Sequence, residues 1–371
     1  MLILDIILYV FAVVVLIQVF FYLYVFGKFA FYKPTNNNKS PNTPVSVIIC
    51  AKNETENLKA FIPYVINQEY QNFEIVLIND FSSDDTLEVM EEFALINQNI
   101  KIVNVEPVEA FWGNKKYPLT LGIKAAKHNI VLFTDADCKP ISKYWIKEMI
   151  SKFNSETSIV LGYGAYTKVK NSLLNKLIRF ETLTAAISYF SLANLGMPYM
   201  GVGRNLAYTK TKFFEVNGFT KHMNIRSGDD DLFVNAAATN SNTQISIAKE
   251  SFTTSIAKTS LKSWFVQKRR HVSTAKHYRL NHKIILGLSY ISNLLFWVLA
   301  ILLVILWHFP MAILSLILLR MIFVYFIYGK SAKKLNEKDL IILLPFLEIF
   351  LIVSQLAIFI SNIISKPKYW K

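Results

Sequence analysis

Four stretches of the chain carry almost no charge. Residues 6–27 are uncharged, as are 284–307, while 309–329 hold only Arg320 and 340–365 only Glu348. Each is long enough to cross a bilayer, which takes about 20 residues as a helix. The pattern predicts an N-terminal anchor, a long central region and about three C-terminal spans. A lone charge costs at least ~2.5–3.5 kcal/mol at the bilayer centre. Arg320 and Glu348 fall at similar depths in spans that run antiparallel, so they predict a buried ion pair facing the bundle interior.

The central region has a different rhythm. "VSVIIC" (45–50), "FEIVLIN" (73–79), "KIVNV" (101–105) and "NIVLFT" (129–134) are short β-branched runs. Between them 54–67, 84–95 and 115–127 repeat apolar residues at helical spacing. Strands alternating with helices predict an α/β domain with a mostly parallel sheet, whose ligands sit beyond the carboxyl ends of the strands. Polar residues collect there: "CAKNETEN" after the first strand, "NDFSSDDT" after the second and "DADC" after the fourth. The expected division is an anchor (1–29), a linker (30–43), the α/β domain (44–250), a basic amphipathic interface segment (251–283), C-terminal helices (284–365) and a tail (366–371).

Composition agrees with a hybrid of membrane and water-facing parts: of 371 residues, 53% are hydrophobic and 14% aromatic, and the net charge is +14. The positive charge is uneven. Every charged residue from Ser251 to Ala332 is basic, next to a span, which favours membrane lipids or a diphosphate as partner and not nucleic acid. Lys28 and Lys33 after the anchor predict an integral protein of the plasma or inner membrane with its α/β domain in the cytoplasm. The lysines of the tail 365–371 pull the other way. With two cysteines, Cys50 and Cys138, neither a disulfide scaffold nor a zinc site is indicated.

The chemistry begins at "IVLFTDADCKP" (130–140). Asp135 and Asp137 point the same way from an extended chain, which sets two like charges together unless a cation intervenes. Mg²⁺ or Mn²⁺, hard ions that take carboxylate and phosphate oxygens, would fit, although acidic residues are also common in turns. No glycine-rich turn follows the first strand and no GxxxxGK[ST] loop occurs, which removes dinucleotide-dependent and P-loop chemistry.

Six segments in order, "PVSVIICAKNETENL", "FEIVLINDFSSDDT", "KYPLTLGIKAAKHNIVLFTDADC", "GVGRNLAYTKTKFFEVNGF", "SGDDDLF" and "WFVQKRRH", resemble membrane-bound family 2 glycosyltransferases. That group includes cellulose and hyaluronan synthases and ceramide glucosyltransferase. The resemblance implies a GT-A fold and inverting transfer of a sugar from a nucleotide-diphosphate-sugar. It implies that Asp80 reads the base, that Glu54, Lys115 and Asp135 bind the nucleotide sugar, and that Asp135 and Asp137 hold the metal. In "GDDD" (228–231) Asp230 matches the general base, with Asp229 and Asp231 as competitors at a helix start that would favour acidic residues anyway. Gln267 and Arg270 match QxxRW, but His271 stands where the processive enzymes have tryptophan. Arg204 and Asn205 would point to acceptor or phosphate, with His271 on the acceptor side. The helix expected at 173–190 would lie on the membrane surface or over the acceptor site.

The leading expectation is transfer of a hexosyl-type sugar to a lipid-linked or saccharide acceptor at the membrane. The alternatives are a processive polysaccharide synthase, which His271 and the few spans disfavour, and a non-catalytic membrane scaffold or translocation component, which the intact acidic motifs disfavour.

Overall fold

A computed structural model describes residues 2–34, 42–106, 115–225 and 227–365. The tail 366–371 and part of the linker therefore lie outside the described residues. The first apolar stretch is one continuous rod made of α1 (Leu2–Phe20), a π-helical turn (Phe21–Phe26) and α2 (Gly27–Ala30).

The α/β region follows as β1 (Val45–Ala51), α3 (Thr55–Ile66), β2 (Phe73–Asp80), α4 (Thr86–Ile96), β3 (Ile100–Val105), α5 (Lys116–Ala125), β4 (Ile130–Phe133), β5 (Cys138–Pro140) and α6 (Trp145–Ile150). It continues through β6 (Ile159–Leu161), β7 (Gly164–Tyr166), α7 (Leu173–Asn194), β8 (Leu206–Thr209), α8 (Lys210–Glu215), α9 (Asp231–Ala237), β9 (Thr243–Ile245) and β10 (Thr253–Ser255). The seven-stranded sheet has the order β3-β2-β1-β4-β8-β6-β9. β1 pairs in parallel with β2 and β4, Val45 standing opposite Phe73 and Ile130. β8 runs antiparallel between β4 and β6.

Central parallel strands are covered on both faces, which is why β1 is apolar throughout but for the buried Ser46. Alternate side chains enter different cores. Val47, Ile75 and Leu132 join one, with α3, α4 and α6, while Ile48, Val76 and Val131 join the other. That second core continues into the membrane helices through α7. Phe190 stacks on Phe29 of α2 at 5.1 Å between ring centroids, and Phe180 on Tyr328 at 5.7 Å. Helix α7 is thus mostly buried, a seam between the sheet and the spans.

A smaller sheet, ordered β5-β10-β7, sits beside the carboxyl end of β4. Its middle strand, Thr253–Ser255, lies past residue 250, so the expected interface segment contributes a strand to the folded region before its helix begins. That helix, α10 (Leu261–Val272), is capped by Ser260 and packs on the last span through Trp264, whose ring lies 5.9 Å from Phe350.

Four helices are long and apolar enough to cross a membrane among the described residues: the N-terminal rod and those containing α11 (Leu280–Ile305), α12 (Pro310–Lys334) and α13 (Leu344–Ile364). Pro310 starts α12 where the missing N–H costs nothing. The basic run 330–334 forms the C-terminal end of α12, where cations suit the helix dipole. The turn after it is pinned by Glu337, buried against Arg179 of α7. The ion pair expected between spans is formed: Arg320 Nη1 donates to Glu348 Oε2 at 2.7 Å and Nη2 to Oε1. Arg320 Nε also donates to Gln18 Oε1 and Nη2 to Asn293 Oδ1, both at 3.0 Å.

Candidate active site

The site forms where the strands end. Two polar loops, after β1 and β2, are laced together by Asn53, whose Oδ1 accepts from Ser83 N at 2.8 Å, and by Asp84, which accepts from Thr55 Oγ1 at 2.7 Å. They present Glu54 and Asp80 to a cavity of about 920 Å³. Burial raises the Asp80 pKa, against Lys52 and Lys115.

Beyond β4, Asp135 accepts from Lys115 Nζ at 2.6 Å. The same Nζ lies 3.8 Å from Asp229 Oδ2. Burial alone would raise the Asp135 pKa, but Lys115, Arg204 and Arg270 win and lower it. Asp137 goes the other way, pushed up by burial and by Asp135. Ligand atoms of Asp135, Asp137 and Cys138 lie within 4.8 Å of one another. Cys138 is buried and its thiol pKa is raised well above the usual value, so it is not a thiolate. The remaining donors are carboxylate oxygens, with Asp137 destabilised by its neighbour, a set that fits a hard divalent ion.

The acidic triplet at the start of α9 divides by role. Gly228 adopts φ +95°, and a Cβ there would meet Leu232 at 2.5 Å, so glycine is needed to turn into the triplet. Asp231 accepts from Thr274 Oγ1 and, at 2.6 Å, from Tyr278 OH, which commits it to holding the segment after α10. Asp230 accepts from Gly203 N at 2.8 Å and Asp231 N at 2.7 Å. Its pKa is pushed up to about 8 by burial, then by Asp229 and Asp231. Asp229 and Asp230 both line the cavity that holds Asp135 and Asp137.

Helix α10 closes the other side. Gln267 and Arg270 line the cavity, and Gln267 Oε1 is buried with no hydrogen-bond partner among the described residues. Burial lowers the Arg270 pKa, opposed by Asp229, Asp135 and Asp230, which places its charge among the carboxylates. His271 opens into the cavity too; desolvation by the surrounding protein, then Lys268 and Arg270, push its pKa well below the usual value and keep the ring neutral.

Two acceptor-side expectations change. Asn205 faces the core: its Oδ1 accepts from Trp145 Nε1 at 3.0 Å, and its Nδ2 donates to Tyr163 O at 3.0 Å and Ser251 O at 2.7 Å. Gly162 makes room, since a Cβ there would stand 2.4 Å from Asn205 Cγ. Arg204 does line the cavity, but its guanidinium is tied to the small sheet through Gly164 O at 2.9 Å and Ser255 Oγ at 2.7 Å, over the Tyr166 ring. It acts on Asp135 and Asp137 through its charge.

Residues 46–211 match the family described as glycosyl transferase family 2. This is a family 2 glycosyl transferase domain. Glycosyltransferase AglE of Haloferax volcanii is 26% identical over 50% of this chain and 58% of its own length. A poly-β-1,6-N-acetyl-D-glucosamine synthase of Staphylococcus epidermidis is 31% identical over 37% of this chain and 32% of its own. The chain thus spans about a third to three fifths of the length of these curated relatives. Among solved structures, the mannosyltransferase PcManGT from Pyrobaculum calidifontis, in complex with GDP-Man and Mn²⁺, superposes with a TM-score of 0.59 at 15% identity, covering 91% of this chain and 96% of that one. At that identity the likeness establishes the GT-A fold.

The motifs of the glycosyltransferase domain did not single out Lys116. It is 1% exposed, and its Nζ donates to His222 O at 2.9 Å and to Ile225 O and Ser227 O at 2.6 Å. It braces the loop that leads into Asp229 and Asp230. Nor was the pair of Lys268 with Glu181, at 2.5 Å between α10 and α7, foreseen.

Proposed function

We propose that this protein is an inverting glycosyltransferase that moves a sugar from a nucleotide-diphosphate-sugar onto a lipid-linked acceptor, at the cytoplasmic face of a plasma or inner membrane. One observation carries the reading. A single cavity is lined at one end by Asp80, Asp135, Asp137 and Asp230 and at the other by Tyr290, Asn293 and Ile352 of the apolar helices. A donor reaching the first end from water and an acceptor reaching the second from the bilayer would meet between them.

The roles follow from placement. Asp80 takes the base, and Lys115 and Arg270 face the diphosphate. Asp135 and Asp137 would hold Mg²⁺ or Mn²⁺, which when bound neutralises charge on the departing nucleotide; that a protein of this fold was solved with GDP-Man and Mn²⁺ supports this choice. Asp230 takes the proton of the acceptor hydroxyl. Asp229 faces Lys115 and Asp231 is already engaged with Tyr278, which leaves Asp230, its pKa raised by burial, as the carboxylate for this role. Gln267 offers its amide to the sugar or acceptor. The lysines of α12 and Lys28 favour the cytoplasmic orientation.

The test is protein in lipid nanodiscs supplied with radiolabelled UDP- and GDP-sugars and total membrane lipids. Label moving into a lipid-mobile product supports the proposal. Label in a long polymer favours a processive synthase, and no transfer from any donor overturns it.

A further inference from the structure

Outside the cavity, basic groups gather where the α/β domain meets α11. His222, in a turn after α8, and His277, in the turn before α11, bring their rings to 6.4 Å between centroids. Lys221, Lys276 and Lys283 stand beside them, all three exposed. None of the five lines the active-site cavity. The pKa of each imidazole is lowered, first by desolvation and then by the basic groups around it: Lys116, His277 and Lys221 for His222, and Lys276, Lys116 and Lys283 for His277.

Among the described residues no carboxylate answers this charge. The side chains of Lys221, His222, Lys276 and His277 make no hydrogen bond or ion pair there, and Lys283 Nζ reaches the carbonyl of Lys276 at 3.5 Å. Lysines next to a span follow the usual cytoplasmic bias. That bias does not explain why a loop of the α/β domain adds Lys221 and His222 at the same place. Like charges held together are costly unless an anion joins them.

The position says which anion. Lys283 lies in the first turn of α11, a helix apolar enough to cross a membrane, so the cluster sits at the level of the lipid head groups. Leu280, Ile284 and Leu288, spaced four apart on one face of α11, are 68%, 60% and 44% exposed and form an apolar path beside the basic groups. A soluble phosphate would meet the charge and leave that path uncovered. We propose that the cluster is a head-group site for an anionic phospholipid, its phosphate held by Lys221, His222, Lys276 and His277 and its acyl chains lying along α11.

Both halves of this site are tied to the acidic start of α9. Lys116 Nζ holds His222 O and Ser227 O together, at 2.9 and 2.6 Å, just ahead of Asp229 and Asp230. Thr274 and Tyr278, which bracket the His277 turn, both donate to Asp231. A head group that draws His222 and His277 together braces the segment carrying Asp230, so the lipid is an activator that raises kcat. The site stands on charge and placement; only the activation rests on the transferase reading.

The full chain in nanodiscs of phosphatidylcholine, with or without phosphatidylglycerol, tests both steps. Native mass spectrometry of protein released from the mixed discs should show phosphatidylglycerol retained in preference to phosphatidylcholine. The triple variant Lys221→Gln, Lys276→Gln, His277→Gln should lower that retention about tenfold or more, as expected for basic groups facing an anionic lipid. Removing two exposed lysines elsewhere, Lys330→Gln with Lys333→Gln, should change it little. In the mixed discs the unaltered protein should transfer sugar about fivefold faster or more, the lower end of ordinary coupling between two sites, at unchanged donor KM. The triple variant should keep the slow rate and lose the gain. Equal loss of retention in both variants would mean general surface charge and overturn the site. Activation by inorganic phosphate in phosphatidylcholine discs would overturn the lipid as its occupant. Retention without a gain in transfer overturns the activation. Absence of transfer from every donor overturns the function proposed above, while retention still decides the site.

Discussion

Lys115 Nζ donates to Asp135 Oδ1 at 2.6 Å, so the lysine holds an oxygen that a divalent ion would also seek. The two cations compete for Asp135, while both attract a diphosphate. Lys115→Met should therefore tighten Mn²⁺ binding, read by electron paramagnetic resonance without donor, about threefold or more. Donor binding should weaken about tenfold, one pKa unit of lost charge interaction being 1.36 kcal/mol. A fall in both affinities would count against the competition.

Asp137→Ala leaves Asp135 paired with Lys115 and removes the other carboxylate from the metal set. Lost Mn²⁺ binding and transfer reduced about 10²-fold or more are expected, since a metal at a developing phosphate charge supplies several kcal/mol. Chelation of the unaltered protein should weaken donor binding in the same way. Donor binding indifferent to both treatments would exclude a metal at this site.

Asp230 has a pKa near 8, so it is protonated, and useless as a base, below that pH. kcat/KM should rise about tenfold per pH unit up to about 8 and then level off. Asp230→Asn should cost about 10²-fold or more and abolish that limb, with donor binding retained. Folding has the opposite sign. The native carboxyl keeps a proton that the unfolded chain, near 3.8, has released, so stability falls as pH rises from about 4 to about 8. Thermal unfolding of Asp230→Asn should lack that decline; a pH profile identical to that of the unaltered protein would move the base elsewhere.

How far the sequence speaks depends on what constrains each residue. β1, β2 and β4 are legible because strands buried on both faces are mostly apolar, and β3, an edge strand with Lys101 and Asn104 exposed, still shows its β-branched residues. β6, β7 and β10 have three residues each, too few for any period to appear. The side-by-side carboxylates of Asp135 and Asp137 announce a site by their mutual repulsion. Asn205 misled because polarity does not tell direction: only the missing side chain of Gly162 and the distant Trp145 reveal an inward amide. Lys116 could not be read either, since its partners are backbone carbonyls 106 to 111 residues away that any sequence would provide.

The pairing of Arg320 with Glu348 was legible because a membrane leaves a charge few choices, and it gives the last prediction. Arg320 is 0% exposed and Glu348 6%, and Glu348 also accepts from Tyr22 OH and Trp297 Nε1, both at 3.3 Å. Such a pair contributes little over an apolar pair of equal volume, because both ions were desolvated to make it. Breaking it is another matter. Glu348→Gln strands the guanidinium and should destabilise the bundle by about 3–5 kcal/mol. In detergent this would appear as a lower unfolding temperature for the membrane helices, with donor binding at Asp80 and Lys115 preserved below that transition. The double variant Arg320→Met, Glu348→Leu removes both charges and should recover most of the lost stability. If it is no more stable than Glu348→Gln alone, the wider network through Gln18, Asn293 and Tyr22 carries the stability, and the ion pair is only its centre.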